Sequence, residues 1–317
     1  MFAYCAQLSG FTVPASVNSI DSSALRGCES IVSFTVDPAN TSFRVQDGVV
    51  YDMDWNLVLF PYGKTSFTIP AGTKNLPDKF FEDYMIESIE IEKGNTAFQL
   101  IGGALYDTDM TTLFFLSQGL TEFVIPERIP SAMDPSTFFQ IIADYGFESV
   151  TLSAENKDCK LLYGVIYYEY EDMGLIPMYI PKDLTEFVIP KDVTYLYCPI
   201  SNYIFSGSDL QTVRFEEGRT QELTIGSYFF YNAKKLTSVT LPAETVSIGN
   251  RAFYGCTSIT EFVLPAAVTY VGNMVFYNWT ADQTIYVYFD ADSVPDSFDY
   301  RWNRSCKANI VYGYTGE

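Results

Sequence analysis

The chain of 317 residues carries 39 acidic and 19 basic side chains, which gives a formal net charge of −20, and it has no histidine. This charge argues against nucleic acids and anionic membranes as partners, because both require clustered positive charge. The lack of histidine removes the usual general base, zinc ligand and pH switch, and no apolar stretch in the sequence reaches the ~20 residues of a membrane span.

A short strand motif recurs along the whole chain. In each copy, the residues one and three places before the last position are apolar, and the residue between them is mostly polar or β-branched. This in-out-in alternation predicts a strand with one buried face. The eleven predicted strands, which we call rungs, end at Pro14, Asp37, Pro70, Glu92, Pro126, Ser153, Pro190, Glu216, Pro242, Pro265 and Asp290.

The spacing of the rungs is most regular near the C-terminal end. Ser-Val-Thr-Leu-Pro at 238–242 returns 23 residues later as Glu-Phe-Val-Leu-Pro at 261–265. A fixed period of roughly 20–30 residues is typical of a solenoid, in which parallel strands stack turn upon turn. Between the rungs, a second apolar group predicts one short helical turn on the opposite wall. That group is clearest as Ile248, Ala252, Phe253 and Cys256, with Gly249 and Gly255 at the turn positions.

Three rungs are followed by insertions of similar design, which begin at Asn40, Asn95 and Asn156. Each insertion has a glycine eight residues after its first residue and a tyrosine three residues after that glycine, followed by an acidic turn and an apolar strand. This pattern predicts a β-hairpin that projects from the solenoid wall. The aligned residues are Gly48, Gly103 and Gly164, with Tyr51, Tyr106 and Tyr167.

The regular repeat also carries a family resemblance. The residues that carry it are Leu236, Val239, Leu241, Pro242, Val246, Ile248, Gly249, Ala252, Phe253 and Cys256. They resemble the BspA-type leucine-rich repeat, which occurs on surface proteins of gut and oral bacteria and of some parasitic protists. The resemblance implies a leucine-rich-repeat solenoid that is exported and displayed at the cell surface, where such proteins take part in adhesion.

We predict one solenoid domain over 1–317. Its regular repeats span 1–37 and 236–290, repeats with insertions span 38–235, and a closing segment spans 291–317, where Ile310–Tyr312 forms a last strand and Trp302 covers the open core. The sequence starts inside a repeat, which predicts a truncated N-terminus and places any export signal or anchor outside this chain. The oligomeric state is left open.

The six cysteines favour free thiols over a metal site. Cys5, Cys28 and Cys256 each lie nine positions before a rung end, whereas Cys159, Cys198 and Cys306 share no register. The first three are expected to stack in the interior as small apolar side chains. The even number leaves a disulfide framework as the alternative, and the lack of a CxxC pair and of histidine disfavours zinc.

Catalysis and calcium binding are the weaker hypotheses. Without histidine there is no Ser–His–Asp or Cys–His arrangement, so we predict a protein that is not an enzyme and has no cofactor. A Ser–Lys pair or a carboxylate pair remains formally open. Acidic pairs could bind calcium, but their recurrence at one insertion position favours turn formation. These pairs are Asp52 with Asp54, Asp107 with Asp109, and Asp290 with Asp292.

The leading functional hypothesis is a non-catalytic surface module that binds a protein or a glycan, such as a host matrix protein or mucin. The alternative is a structural spacer without a dedicated ligand. Exposed aromatic residues would favour binding, and aromatic residues packed on the solenoid would favour the spacer. The candidate contact residues on outward strand positions are Thr35, Thr68, Thr151 and Arg214. Those in or beside the insertions are Trp55, Tyr62, Tyr167, Tyr168, Tyr170 and Tyr179.

Overall fold

The computed structural model describes residues 2–21, 23–77, 80–82, 84–197 and 204–316. The chain forms two compact units. The first contains Met1–Val124 with Ile129–Met133, and the second contains Ile125–Arg128 with Asp134–Glu317. Both units consist mainly of short strands, as expected for a leucine-rich-repeat solenoid.

Parallel rung strands and antiparallel insertion strands alternate in the first unit. Its strands are β1 (Phe11–Val13), β2 (Phe34–Val36), β3 (Phe43–Gln46), β4 (Val49–Asp52), β5 (Leu57–Leu59), β6 (Ser66–Ile69), β7 (Ser88–Ile91), β8 (Phe98–Ile101), β9 (Ala104–Asp107) and β10 (Leu113–Leu116). A 3₁₀ helix lies at Phe80–Glu82. Strand β1 pairs with β2, and β6 pairs with β7, both in parallel. The rung predictions are therefore confirmed here.

Each insertion in this unit is a three-stranded antiparallel sheet rather than the predicted two-stranded hairpin. The sheets have the strand orders β3-β4-β5 and β8-β9-β10. The central strands contain Val49–Tyr51 and Ala104–Tyr106, and every side chain in these two runs is buried. Such continuous apolar runs are typical of strands that are covered on both faces.

The first insertion also does not project from the wall as predicted. Val50 belongs to the apolar cluster that contains Val13 and Phe34. Its neighbours Val49 and Tyr51 point to the other face and belong to the cluster that contains Phe67. Because successive strand residues face opposite sides, this central strand is a layer between two cores.

The second unit contains the regular repeats. Strand β11 (Glu122–Ile125) leads into it, and the helix α1 (Pro135–Tyr145) follows. The remaining strands are β12 (Ser149–Leu152), β13 (Cys159–Leu162), β14 (Val165–Tyr170), β15 (Gly174–Tyr179), β16 (Glu186–Ile189), β17 (Tyr195–Leu196), β18 (Thr212–Phe215), β19 (Leu223–Ile225), β20 (Ser238–Val239), β21 (Thr245–Ile248), β22 (Glu261–Val263), β23 (Tyr270–Val271), β24 (Thr284–Tyr286) and β25 (Asn309–Val311). Strands β13, β14 and β15 form the third insertion, again as a three-stranded antiparallel sheet.

Helix α1 was not anticipated, although the sequence contains its start and stop signals. The Asp134 side chain caps the first turn by accepting a hydrogen bond from the Ser136 N–H at 2.8 Å, and Pro135 occupies the first helical position. Gly146 ends the helix in the left-handed conformation, with φ of 79°. A capping Asp, an initial Pro and a terminal Gly are the usual helix boundaries.

Two rows of parallel strands form the regular part of the second unit. One row contains the rungs, in the orders β16-β18-β20 and β22-β24-β25, and the other has the order β17-β19-β21-β23. The predicted helical turn after Ile248 is a series of tight turns, such as Ala252 N–H to Gly249 O at 3.3 Å and Tyr254 N–H to Arg251 O at 3.2 Å. Arg251 has a positive φ of 53°. This left-handed residue prevents a continuous helix.

The last predicted rung lies two residues earlier than expected. Phe262 pairs with Ile285, so the inward pair is Ile285 and Val287 rather than Val287 and Phe289. In the closing segment, the last strand is Asn309–Val311, one residue earlier than the predicted Ile310–Tyr312. Strand β25 pairs in parallel with β24, and the buried Trp302 ring lies 6.1 Å from the Phe276 ring.

The first residue of each insertion is a hydrogen-bonding side chain that joins consecutive solenoid turns. The Asn40 amide donates to Pro14 O and Val17 O, both at 2.8 Å, and its Oδ1 accepts the Ser42 and Phe43 N–H groups. Asn95 makes the equivalent four bonds, and Asn156 repeats most of the pattern. Buried carbonyl groups need such partners, so these asparagines have a structural role.

The described cysteines Cys5, Cys28, Cys159, Cys256 and Cys306 are free thiols, and Cys198 lies outside the described residues. Cys28 and Cys256 are buried, and each Sγ donates to a carbonyl oxygen at 3.0 Å. Cys5 is exposed, which contradicts the prediction that it is buried like the other two.

Candidate binding groove on the outward strand face

Most aromatic residues predicted as contacts are packed against the solenoid. Tyr167 has no solvent exposure and lies in the core with Phe187, so it is not available to a partner. Its burial raises the pKa of the phenol. In the first unit, the half-buried Trp55 lies 4.5 Å under the Arg44 guanidinium. A Cβ atom on Gly72 would come within 2.3 Å of Trp55, so only glycine leaves room for this ring.

The remaining insertion aromatics are half-buried. The Tyr62 ring packs 4.7 Å from Tyr84, and the Tyr168 and Tyr170 rings are 4.8 Å apart. Burial, with a contribution from Asp134, raises the pKa of Tyr170 to about 12. Tyr179 borders a separate groove beside α1. These rings do not present an exposed platform, which counts against the six predicted aromatic residues as the binding surface.

The four predicted contact residues on outward strand positions differ in their exposure and in their contacts. Thr35 is exposed, and its hydroxyl is 2.6 Å from that of Thr12 on the adjacent rung. Thr68 is half-buried opposite Glu90, and Thr151 is exposed. Arg214 is also exposed, and its Nε donates to Glu186 Oε1 at 2.5 Å. Unlike the threonines, Arg214 lines a cavity.

That cavity, which we call the Arg214 groove, has a volume of about 800 Å³. It lies where β18 and β20 end, and its wall includes the outward side chains of Val188, Arg214 and Thr240. Parallel strands place equivalent positions of successive rungs side by side, so these three residues form one row. The turn from Glu216 to Arg219 completes the groove.

Tyr163 reaches the Arg214 groove from the tip of the third insertion. Its hydroxyl donates to Glu216 Oε1 at 3.1 Å, while Glu216 Oε2 accepts the Lys191 N–H at 2.9 Å. These two hydrogen bonds, first that from Lys191, lower the pKa of Glu216. The same carboxylate raises the pKa of Tyr163. Tyr163 remains 51% exposed, so its ring is held in place and still accessible.

Tyr163 has a left-handed backbone conformation, as the described residues Tyr4, Trp55 and Tyr228 also have. The tips of the three insertions are Asp47–Gly48, Gly102–Gly103 and Tyr163–Gly164, and both residues of each pair have positive φ. Such two-residue turns favour Asn, Asp and Gly, whereas a bulky side chain at φ of 51° is rare. Tyr163 therefore occupies a position at which the other two insertions have a residue suited to the turn.

Arg219 supports the groove from below. It is only 7% exposed, and its guanidinium donates to Val193 O and, at 2.8 Å, to Pro190 O. In the first unit, the Asn40 and Asn95 side chains donate hydrogen bonds to the corresponding pairs of carbonyl groups. Burial lowers the pKa of Arg219, opposed by nearby acids such as Glu244.

The groove offers fixed donors, acceptors and one exposed ring, which is chemistry for binding. Among the described residues, no group of three or more His, Cys, Asp or Glu side chains is arranged to hold a metal ion.

Asp52 accepts the Asp54 and Asn56 N–H groups, and Asp107 accepts those of Thr111 and Thr112. These bonds support the turn interpretation of both acidic pairs. Burial raises the pKa of Cys159 to about 12, which disfavours the nucleophilic thiolate.

Comparison with known families agrees with the repeat architecture. The model of the BspA type leucine-rich repeat region matches residues 1–46 and 178–298 in six copies, which is more than half of the chain. The chain belongs to the BspA-type leucine-rich repeat family. The expected resemblance is thereby confirmed, and leucine-rich repeats are a protein-interaction fold. A search among curated proteins finds no match.

Several solved structures match most of this chain at low identity. The pneumococcal vaccine antigen PcpA is 19% identical with a TM-score of 0.33, and the match covers 98% of this chain and 58% of the antigen. A leucine rich cell surface protein from Faecalibacterium prausnitzii is 13% identical with a TM-score of 0.40, covering 98% of this chain and 80% of that one. A leucine-rich repeat protein from Bacteroides ovatus is 14% identical with a TM-score of 0.38, covering 97% and 85%.

In the part of the chain that the structure describes, no helix has the length and apolar character needed to cross a bilayer.

Proposed function

We propose that this protein is a non-catalytic binding module that holds a protein or glycan partner in the Arg214 groove. The observation that carries the proposal is that Tyr163 is half-exposed at the wall of the groove while its hydroxyl is fixed by a 3.1 Å hydrogen bond to Glu216. A side chain that is already held in place loses less conformational freedom when a partner binds. Tyr and Arg are also the residues that contribute most to binding interfaces.

The same proposal assigns the protein no catalytic activity and no cofactor. The groove contains two arginines and several glutamates, but the sequence has no histidine to act as a base. Arg214 and Glu216 already share hydrogen bonds with Glu186, Tyr163 and Lys191. Groups held in this way bind and orient a partner.

The place of action that we propose is the cell surface, with an adhesive role. Membership of a family of surface repeat proteins supports this, as does a chain with a charge of −20 that would stay soluble outside the cell. A host matrix protein or a neutral glycan fits this charge better than a sulfated or sialylated mucin chain, because like charges repel.

A panel of immobilised matrix proteins, mucins and arrayed glycans tests the proposal, followed by a Tyr163→Asn variant against each ligand that binds. Asn suits the left-handed turn, so we expect thermal stability to stay equal or rise while affinity falls at least tenfold. Asp47→Asn changes the same turn position in the first insertion and should leave affinity unchanged.

Two results would contradict the binding role of Tyr163. The first is a Tyr163→Asn protein that binds normally, and the second is one that melts at a clearly lower temperature, since that would make Tyr163 a packing residue. The structural spacer is the second candidate function, and the half-buried state of the insertion aromatics favours it. It would prevail if no ligand in the panel binds the intact protein.

A further inference from the structure

The segment 252–300 has an uneven charge. It contains Glu261, Asp282, Asp290, Asp292, Asp296 and Asp299 but no lysine or arginine. Asp299 accepts the Arg301 N–H at 2.8 Å. By contrast, Asp290, Asp292 and Asp296 are exposed, and the structure shows no ion pair for them among the described residues. The next basic residues in the sequence are Arg301, Arg304 and Lys307, of which Arg301 pairs with Asp299.

Three tyrosines pack together at the last rungs, Tyr286 and Tyr288 from this segment and Tyr314 from beyond it. The Tyr286 and Tyr314 rings are 4.8 Å apart, and the Tyr288 and Tyr314 rings are 5.7 Å apart. Tyr288 is 42% exposed, and Tyr286 and Tyr314 are half-buried. We call these three residues the tyrosine surface. Its rings meet at 45° and 59°, so they do not cover one another face to face.

A small groove with apolar side chains in its wall borders the tyrosine surface. It has a volume of about 260 Å³ and lies between Pro265, Phe289 and Pro295, with Tyr288 as one wall. Asp290 directly follows Phe289, and Asp292 and Asp296 flank Pro295 in the sequence. Tyr288, Phe289 and Pro295 of the groove thus lie in the same short stretch of sequence as Asp290, Asp292 and Asp296, while Pro265 and Tyr314 come from neighbouring turns.

We propose that the tyrosine surface is a docking site for a basic polypeptide segment rich in arginine or lysine. A cationic side chain is attracted to the face of a tyrosine ring. The acids attract the same cation over a longer range and would speed association. The apolar side chains in the wall of the groove, such as Pro265 and Phe289, fit the aliphatic stem that arginine and lysine carry below their charge.

Charge also argues against a second copy of this chain, a nucleic acid or a glycan as the molecule that docks on the tyrosine surface. A second copy of this chain brings its own charge of −20, and nucleic acids and acidic glycans are repelled in the same way. A neutral glycan would stack on the rings and donate hydrogen bonds to carboxylates, but it lacks the long-range charge attraction that Asp290, Asp292 and Asp296 exert on a basic segment. This site shares no residue with the Arg214 groove, so either proposal can fail alone.

Fluorescence anisotropy with labelled octapeptides of alternating Arg-Ala, Lys-Ala and Glu-Ala tests the proposal on the full chain. We expect the Arg peptide to bind more tightly than the Lys peptide, because the guanidinium stacks better on aromatic rings. The Glu peptide should not bind. Binding should weaken as the salt concentration rises.

Matched variants separate a site from general attraction to an acidic protein. Asp290→Asn with Asp292→Asn should weaken binding of the Arg peptide at least fivefold. Asp54→Asn with Asp109→Asn removes the same charge at exposed positions of the first unit and should change affinity less than twofold. Equal losses in both double variants would overturn the proposal.

The tyrosine contribution needs its own control. Tyr288→Leu keeps an apolar side chain but removes the aromatic face, and we expect about a threefold loss of affinity with an unchanged melting temperature. Tyr300→Leu, at a tyrosine that is 83% exposed outside the tyrosine surface, should have no effect. Unchanged affinity of Tyr288→Leu, or preference for the Glu peptide, would overturn the proposal.

Discussion

The first insertion and the regular repeats of the second unit use aromatic side chains differently. In the insertion, single aromatic residues such as Tyr51 fill a central strand that has a core on each face. In the regular repeats, the same position of successive turns carries the same ring. The Phe253 ring stacks 5.2 Å from Phe230 and 6.3 Å from Phe276. Tyr254 stacks 4.6 Å from both Tyr231 and Tyr277.

This difference shows that stability in the regular repeats is shared along a row, whereas in an insertion it depends on individual contacts. A solenoid turn contacts only its neighbours, so a defect in one turn weakens two interfaces. Substitutions in the regular repeats and in the insertions should therefore change the free energy of unfolding to different extents.

Phe253→Ala should have the largest effect. The ring is fully buried and packs against Phe230, Phe276 and Phe262. Truncation of such a ring costs about 3–5 kcal/mol. Urea unfolding followed by circular dichroism should show the transition of the second unit at a lower urea concentration. A transition that moves no more than that of the exposed Tyr300→Ala control would contradict the stacked-row interpretation.

Asn95→Ala tests the hydrogen-bonding role of the first insertion residues. The substitution removes four hydrogen bonds to backbone groups. Because it leaves partly buried backbone groups without partners, we expect a loss of about 2–3 kcal/mol in the same urea experiment. Asn75→Ala, at an exposed position, should stay within about 0.5 kcal/mol of the parent. If both variants unfold alike, the asparagine bonds do not hold the turns together.

Tyr106→Phe should have a small effect in the opposite direction. The hydroxyls of Tyr51, Tyr106 and Tyr167 are buried and have no hydrogen-bond partner among the described residues. Removal of an unsatisfied buried hydroxyl should raise the free energy of unfolding by about 1 kcal/mol. Differential scanning calorimetry provides the measurement, with Tyr300→Phe as the neutral control. A lower melting temperature for Tyr106→Phe would indicate that the hydroxyl does have a partner, such as a buried water.

Lowering the pH should break the hydrogen bond between Tyr163 and Glu216. This is the smallest of the four effects that we expect on stability. The lowered pKa of Glu216 means that its hydrogen bonds favour the folded protein above the usual glutamate pKa of about 4.3. This contribution is lost as the pH falls through the lowered pKa. NMR signals of the Tyr163 ring should therefore shift at a pH below that of exposed glutamates. Glu216→Gln should abolish this transition, and its persistence in that variant would assign it to another group.

Much of the fold was predictable because a solenoid repeats its own pattern. The alternation of apolar residues located the rungs, and the 23-residue period identified the family. The last rung was placed two residues too late, because Ile285/Val287 and Val287/Phe289 fit a period of two equally well. The 23-residue spacing from Phe262 would have selected Ile285, which is the observed partner. The continuous apolar runs at Val49–Tyr51 and Ala104–Tyr106 likewise signalled strands buried on both faces.

The candidate site was far less predictable. The sequence by itself determined the strand rows, the absence of histidine chemistry and the outward position of Arg214. It also gave one signal for Tyr163, a tyrosine where the aligned turns have Asp47 and Gly102. Only the tertiary structure decided that Tyr167 is buried and that Tyr163 meets Glu216 across 53 residues of chain. The physical reason is that local periodicity specifies which way a side chain faces, whereas contacts between solenoid turns depend on how those turns stack.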